Sequence, residues 1–269
     1  MRVHVISDIE GVAGVVKWEQ TGGETPLYQE ARCLYTEEIN AAVRGAKAAG
    51  APEIVVMDCH GAPEGYAFNS LVAEELDPAC EFVVQERWTG YTEFLESGCD
   101  AALFVGMHAM AGAATGVMNH TVSGRDWRSL AFNGTEVGET GINAALCGTW
   151  GCPVLMVTGD TASCEEAKAL LGVGLATVAV KDGIGRFGAR NLAPKRARER
   201  IEEGARQALS DLAAVPAYDP GRPCEIRVVF HHTDALDAYR YKRGVEIVGP
   251  RELVSSGEDW WSAWQQFFF

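Results

Sequence analysis

Long hydrophobic runs are missing from this sequence: none approaches the roughly 18–20 apolar residues that a helix needs to cross a bilayer. The opening MRVHVISDIEG lacks the apolar core and the small-residue cleavage site of an export signal. Positive charge is also scarce, with 23 Lys and Arg against 37 Asp and Glu and a formal net charge of −14. Phosphate backbones and anionic lipid are repelled on average by such a chain, so neither nucleic acid nor a membrane is an expected partner. No Cys-x-x-Cys pair occurs among the eight cysteines, and several of them sit inside apolar runs, where a thiol packs as a small hydrophobe. These absences predict a cytoplasmic protein with reduced thiols. Internal repeats and low-complexity segments are absent too, which excludes solenoids and disordered tails.

What remains is a chain of 269 residues with globular composition. Apolar runs at 3–7, 53–58, 81–85, 101–106, 153–158 and 176–181 read as strands, with helical stretches between several of them. The Ala-rich stretch from Leu27 to Ala49 favours a helix that Gly50 stops. This β-α-β order predicts an α/β fold with a mostly parallel sheet and helices on both faces. The middle reads differently. Residues 117–123 and 130–133 are short extended pieces, and Asn133-Gly134 is a tight-turn signal. A helix is expected over 138–150, and another after Gly159-Asp160-Thr161, with Asp160 or Thr161 as its N-cap. Residues 183–190 form a flexible basic glycine stretch, and Pro194 opens a charged helix to about Ala213. A soft boundary near residue 190 divides a catalytic α/β region, 1–190, from a smaller α+β portion, 191–269, that serves packing and oligomerisation. The aromatic end GEDWWSAWQQFFF has helical spacing, which suits a helix docked on its own core or one at a subunit interface.

Three strands run into metal-capable residues: Ser7-Asp8-Ile9-Glu10-Gly11, Asp58-Cys59-His60-Gly61 and Gly106-Met107-His108-Ala109. Alone, an Asp-x-Glu after a strand is commonly a turn or cap, and a single histidine is commonly a hydrogen-bonded one. Together they gain weight, because an open parallel sheet binds ligands just beyond the carboxyl ends of its strands. His120 and Glu139 come from the middle region, and Glu139 also suits the first turn of a helix. His4, His231 and His232 read as structural. Asp8, Glu10, His60, His108 and Glu139 offer two imidazoles and three carboxylates, a mixed set suited to zinc and also to manganese or cobalt. Five ligands exceed what one catalytic zinc with an open position takes. They suit two ions that share a carboxylate, activate water and polarise a carbonyl.

The chain resembles the D-aminopeptidases of the dipeptide-operon type, peptidase family M55. The resemblance rests on SDIEG at 7–11, DCHG at 58–61, GMHA at 106–109, GVMNH at 116–120, NGTEVGETGINA at 133–144 and PVLMVTGD at 153–160. It implies that Asp8, Glu10, His60, His108 and Glu139 hold two zinc ions with Asp8 as the bridge, and that His120 is the catalytic residue. It further implies a D-specific aminopeptidase acting on short peptides or amino-acid amides, assembled as a ring-like homo-oligomer. The departures from the family pattern, Ile6, Cys59 and one extra residue between His108 and His120, leave this ligand set intact. Two rivals make different demands. A phosphoester or lactam hydrolase with the same two metals would, in the phosphoester case, want Arg or Lys to clamp the phosphate, and none flanks these motifs. A non-catalytic metal-dependent binding or assembly protein would show no turnover.

Overall fold

The computed structural model describes residues 1–63 and 65–269. Its chain runs β1 (Arg2–Ser7), α1 (Pro26–Ala48), β2 (Glu53–Asp58), β3 (Glu81–Val83), α2 (Glu93–Glu96), β4 (Ala101–Met107), β5 (Trp127–Phe132), β6 (Thr135–Glu136) and α3 (Glu139–Thr149). It continues through β7 (Val154–Asp160), α4 (Thr161–Leu171), β8 (Ala176–Gly185), β9 (Gly188–Asn191), α5 (Pro194–Ala208), β10 (Cys224–Phe230), β11 (Val245–Gly249), β12 (Glu252–Gly257) and α6 (Trp260–Phe268).

Seven strands form one sheet in the order β3-β2-β1-β4-β7-β8-β9, parallel except for the last pair. The central strands β1, β4 and β7 are buried almost throughout, which is why they read as continuous apolar runs rather than alternating ones. Helices cover the faces of this sheet, α1 packing with α5, and α3 with α4. The termini of these helices follow from local chemistry. The Thr25 hydroxyl accepts from Tyr28 N with Pro26 in the first turn, and Asp160 accepts from Ser163 N to cap α4.

A second, antiparallel sheet has the order β11-β12-β10-β5-β6. Residue 190 falls inside β9 of the first sheet, and β5 and β6 reach from the middle of the chain to join β10 in the second. Asn133 and Gly134 make the β5–β6 turn with φ of 46° and 82°, as their dipeptide signals. The buried face of α6 docks on its own chain through Trp260, Ala263, Trp264 and Phe267, and Trp264 Nε1 donates to Thr89 Oγ1 at 2.9 Å. Burying each such aromatic contributes roughly 2–3 kcal/mol. All eight cysteines are free thiols, and among the described residues no helix is long and apolar enough to cross a membrane.

Three local expectations are corrected. Residues 117–123 form turns and not an extended piece, because Met118 and Val122 take positive φ. The stretch 183–190 is the β8–β9 hairpin and not a loose loop. The helix opened by Pro194 ends at Ala208, short of Ala213.

Candidate metal centre

Adjacency of β1, β2 and β4 brings their C-terminal ends to one edge of the sheet. Asp8 and Glu10 follow β1, His60 lies two residues past β2, and His108 follows β4 directly. Close backbone packing holds this edge together. A Cβ on Gly106, which has φ +75°, would stand 2.1 Å from Asp8 O, and one on Gly11 would stand 2.1 Å from Met107 O. The glycines of SDIEG and GMHA therefore let the two ligand-bearing turns touch. Glu139 opens α3, and His120 sits in the β4–β5 connection between Met118 and Val122, whose strained φ values of 52° and 61° set the path of that loop.

The five side chains predicted to bind metal, Asp8, Glu10, His60, His108 and Glu139, are all buried and meet. Asp8 divides its carboxylate between two imidazoles: Oδ1 lies 3.3 Å from His60 Nδ1, and Oδ2 lies 3.3 Å from His108 Nε2. Glu10 Oε2 is 3.3 Å from the same His60 nitrogen, and Glu139 Oε1 is 3.4 Å from the same His108 nitrogen. Two half-sites result, Asp8 with Glu10 and His60, and Asp8 with His108 and Glu139. His120 adjoins the second. Its ring stacks on His108 at 4.0 Å and 12°, and its Nε2 lies 3.7 Å from Glu139 Oε1.

The tautomers follow from the outer nitrogens, since a backbone carbonyl can only accept. His60 Nε2 donates to Thr21 O at 2.6 Å, His108 Nδ1 to Ala109 O at 3.0 Å, and His120 Nδ1 to Met118 O at 2.9 Å. Carbonyl partners of this kind orient ligating histidines. A neutral ring so held turns its remaining lone pair toward carboxylate oxygens, and Glu10 Oε2 and His108 Nε2 are buried without a hydrogen-bond partner among the described residues. Lone pairs packed against lone pairs call for a proton or a metal ion between them.

Electrostatics point the same way. Burial works against charge on His60, but Glu10 and Asp8 outweigh it and hold its pKa well above the ordinary value. For His108, Glu139 and Asp8 likewise overcome burial. Burial would raise Asp8, yet His108 and His60 hold it well below the usual carboxylate range. With only protons available the imidazoles take them up, and a divalent ion would displace them. His120 differs: burial, and then the charge of His108, push its pKa down.

A supporting layer was not legible in the motifs. Asp58 Oδ1 accepts from Tyr35 OH and from His60 N, both at 2.9 Å, and Oδ2 accepts from Ser70 N, which fixes the turn carrying His60. Val122 N donates to Glu139 Oε1 at 2.7 Å. From β8, the buried Lys181 ammonium donates to Glu10 O, to Val12 O at 2.9 Å and to Val15 O at 2.6 Å, tying down the loop that follows Asp8. Burial lowers its pKa to about 8 against the opposing pull of Asp160, Glu38 and Glu10. Lys181→Met removes three charge-assisted donors from buried carbonyls, so a stability loss of about 3 kcal/mol is expected. Urea denaturation of the metal-free protein measures it, and metal uptake should weaken in parallel.

The site opens into a cavity of about 1080 Å³. Its lining corrects one expectation. No Arg or Lys flanks the metal-binding motifs in sequence, but folding brings Arg87, Arg125 and Arg186 to this cavity. Its walls also include Trp18, Trp88 and Phe268.

Carboxylates and imidazoles gathered beyond the strand ends of a parallel α/β sheet, beside an open cavity, have the make-up of a metal-dependent hydrolase. The sequence profile of peptidase family M55, described as D-aminopeptidase, matches residues 1–269, and the chain belongs to that family. It is 32% identical over 268 residues to the D-aminopeptidase of Bacillus subtilis (strain 168), covering 98% of this chain and 94% of the relative. Its structure is similar to that of the Zn-dependent D-aminopeptidase DppA from Bacillus subtilis, a self-compartmentalizing protease. The TM-score is 0.90 at 28% identity, covering 99% of this chain and 95% of the other.

Proposed function

We propose that this protein is a two-zinc aminopeptidase that removes the N-terminal residue of short peptides or amino-acid amides, with preference for the D-configuration. The observation that carries the two-metal reading is the split of Asp8, one oxygen toward His60 and the other toward His108. Asp8, Glu10 and His60 would hold one ion, and Asp8, His108 and Glu139 the other. When bound, the pair would supply Lewis-acid activation of the attacking water and of the scissile carbonyl.

The chain's own residues do the remaining work. His120 keeps its Nδ1 proton on Met118 O, which leaves Nε2 to take a proton during attack and return it to the departing amine. Its lowered pKa keeps the ring neutral, as a base must be. Burial of the ligands excludes bulk water from the charges they carry. The cavity volume suits a short peptide rather than a folded chain. D-selectivity, zinc as the ion and assembly into a homo-oligomeric ring are supported by membership of the family and by the similarity to DppA. The cytoplasmic, reduced-thiol setting remains part of the same reading.

Hydrolysis of paired D- and L-alanyl amides by the zinc-loaded protein tests this. Turnover of the D-amide by at least about ten-fold over the L-amide in kcat/KM is expected. Turnover of phosphoesters alone, or of no substrate with both metals bound, would overturn the proposal in favour of its rivals.

A further inference from the structure

The β8–β9 hairpin places one cation where the proposed reaction has a use for it. Gly185 pairs with Gly188, so Arg186 and Phe187 form the tip. Arg186 O accepts from Met118 N at 2.6 Å, which fastens the tip to the loop that carries His120. The guanidinium carbon lies 5.8 Å from the Trp18 ring and 5.3 Å from the Phe187 ring. Trp18 in turn meets the His120 ring edge-on at 5.4 Å. A Cβ on Gly124 would stand 3.6 Å from Arg186 Nη2 and 3.6 Å from His120 Cβ, so the guanidinium and the catalytic imidazole flank the same strip of backbone.

Among the described residues Arg186 has no carboxylate partner, whereas Arg125 is occupied by Asp126 at 3.0 Å. Its guanidinium is therefore held by aromatic rings, with its hydrogen-bonding fork free. It lines the metal cavity and also an adjoining cavity of about 590 Å³, as His120 does. Arg87 lines only the first of these.

We propose that Arg186 binds the C-terminal carboxylate of a dipeptide substrate and so makes the enzyme selective for very short free-acid peptides. This rests on the aminopeptidase reading above. Guanidinium and carboxylate match as a two-pronged pair. Consecutive Cα atoms lie about 3.8 Å apart, so the carboxylate of a dipeptide falls one residue beyond the scissile carbonyl. Arg186 Nη2 and His120 Cβ each stand 3.6 Å from the same point beside Gly124, which puts the guanidinium within reach of the one residue that follows the scissile bond. The same cation repels an ammonium group, so it also sets the direction of binding: the amino end lies toward the acidic metal ligands and the carboxylate toward the hairpin. A longer peptide would carry its carboxylate past the guanidinium.

The test compares D-Ala-D-Ala with its C-terminal carboxamide, which differs only in that charge, on wild type, Arg186→Gln, Arg186→Lys and Arg87→Gln. The tip is exposed, so folding is not at stake. In Arg186→Gln, KM for the free acid is expected to rise about ten-fold or more with kcat little changed, while KM for the carboxamide stays within about two-fold. Arg186→Lys should recover part of the loss by keeping the charge. Equal changes on both substrates, no change on the free acid, or a selective loss in Arg87→Gln in place of Arg186→Gln would overturn the assignment and leave the aminopeptidase reading standing. If wild type cleaves neither dipeptide, this assignment falls, and if it leaves the D-alanyl amide intact as well, the aminopeptidase reading falls with it.

Discussion

Elemental analysis of the Asp8→Ala protein is expected to find both zinc ions lost together, with activity reduced by about a thousand-fold or more. The reason is geometric. Asp8 offers one oxygen beside His60 and the other beside His108, so its removal strips a ligand from each half-site at once. It also leaves Glu10 and Glu139 to hold their ions without a shared negative charge between them. Replacement of Glu10 or Glu139 should instead weaken one ion more than the other, because Glu10 lies beside His60 and Glu139 beside His108. Retention of two equivalents by Asp8→Ala would remove Asp8 as the bridge. Circular dichroism separates this from misfolding, since a folded protein without metal is the expected product.

The second large effect concerns His120. His120→Ala should keep both ions and the fold yet lose about 10²–10⁴-fold in kcat, the usual range for a positioned acid or base. Its imidazole is held from three sides, by Met118 O, the stacked His108 ring and the edge-on Trp18 ring, which orients Nε2 without making it necessary for metal retention. Its Nε2 also lies 3.7 Å from Glu139 Oε1, the oxygen that faces His108 Nε2 at 3.4 Å. A role as a sixth ligand predicts the opposite pattern, with metal lost from the His108 half-site along with activity. Metal content and kcat measured on the same preparation distinguish the two.

The parts of this site legible in the sequence are those that strand ends encode. Buried parallel strands are apolar runs, and a carboxylate or imidazole at the end of such a run is conspicuous. Asp8, Glu10, His60 and His108 could be marked that way. Glu139 was harder, since a glutamate in the first turn of a helix is ordinary. The β5–β6 turn was also legible, because Asn-Gly carries its conformation locally.

Long-range contacts left no mark. Lys181 reaches the loop after Asp8 across 171 positions of sequence, and nothing in ATVAVK announces a cation feeding three carbonyls. The three arginines of the cavity come from segments that share no motif. Arg186 was hidden in a glycine-rich stretch that reads as loose because glycine is a poor strand former. Pairing with the rest of β8 and β9 overrides that preference. The turn around His120 was misread as extended for a related reason: Val117, Met118 and Val122 favour strands, and only the surrounding packing holds two of them at positive φ.

The claim on which the rest depends is that two cations lie within this set of five side chains. Anomalous scattering from a zinc-loaded crystal tests it most directly. Two peaks about 3.5–4 Å apart are expected, one among Asp8, Glu10 and His60 and the other among Asp8, His108 and Glu139. A single peak, or density bound elsewhere with these side chains left to one another, would contradict it.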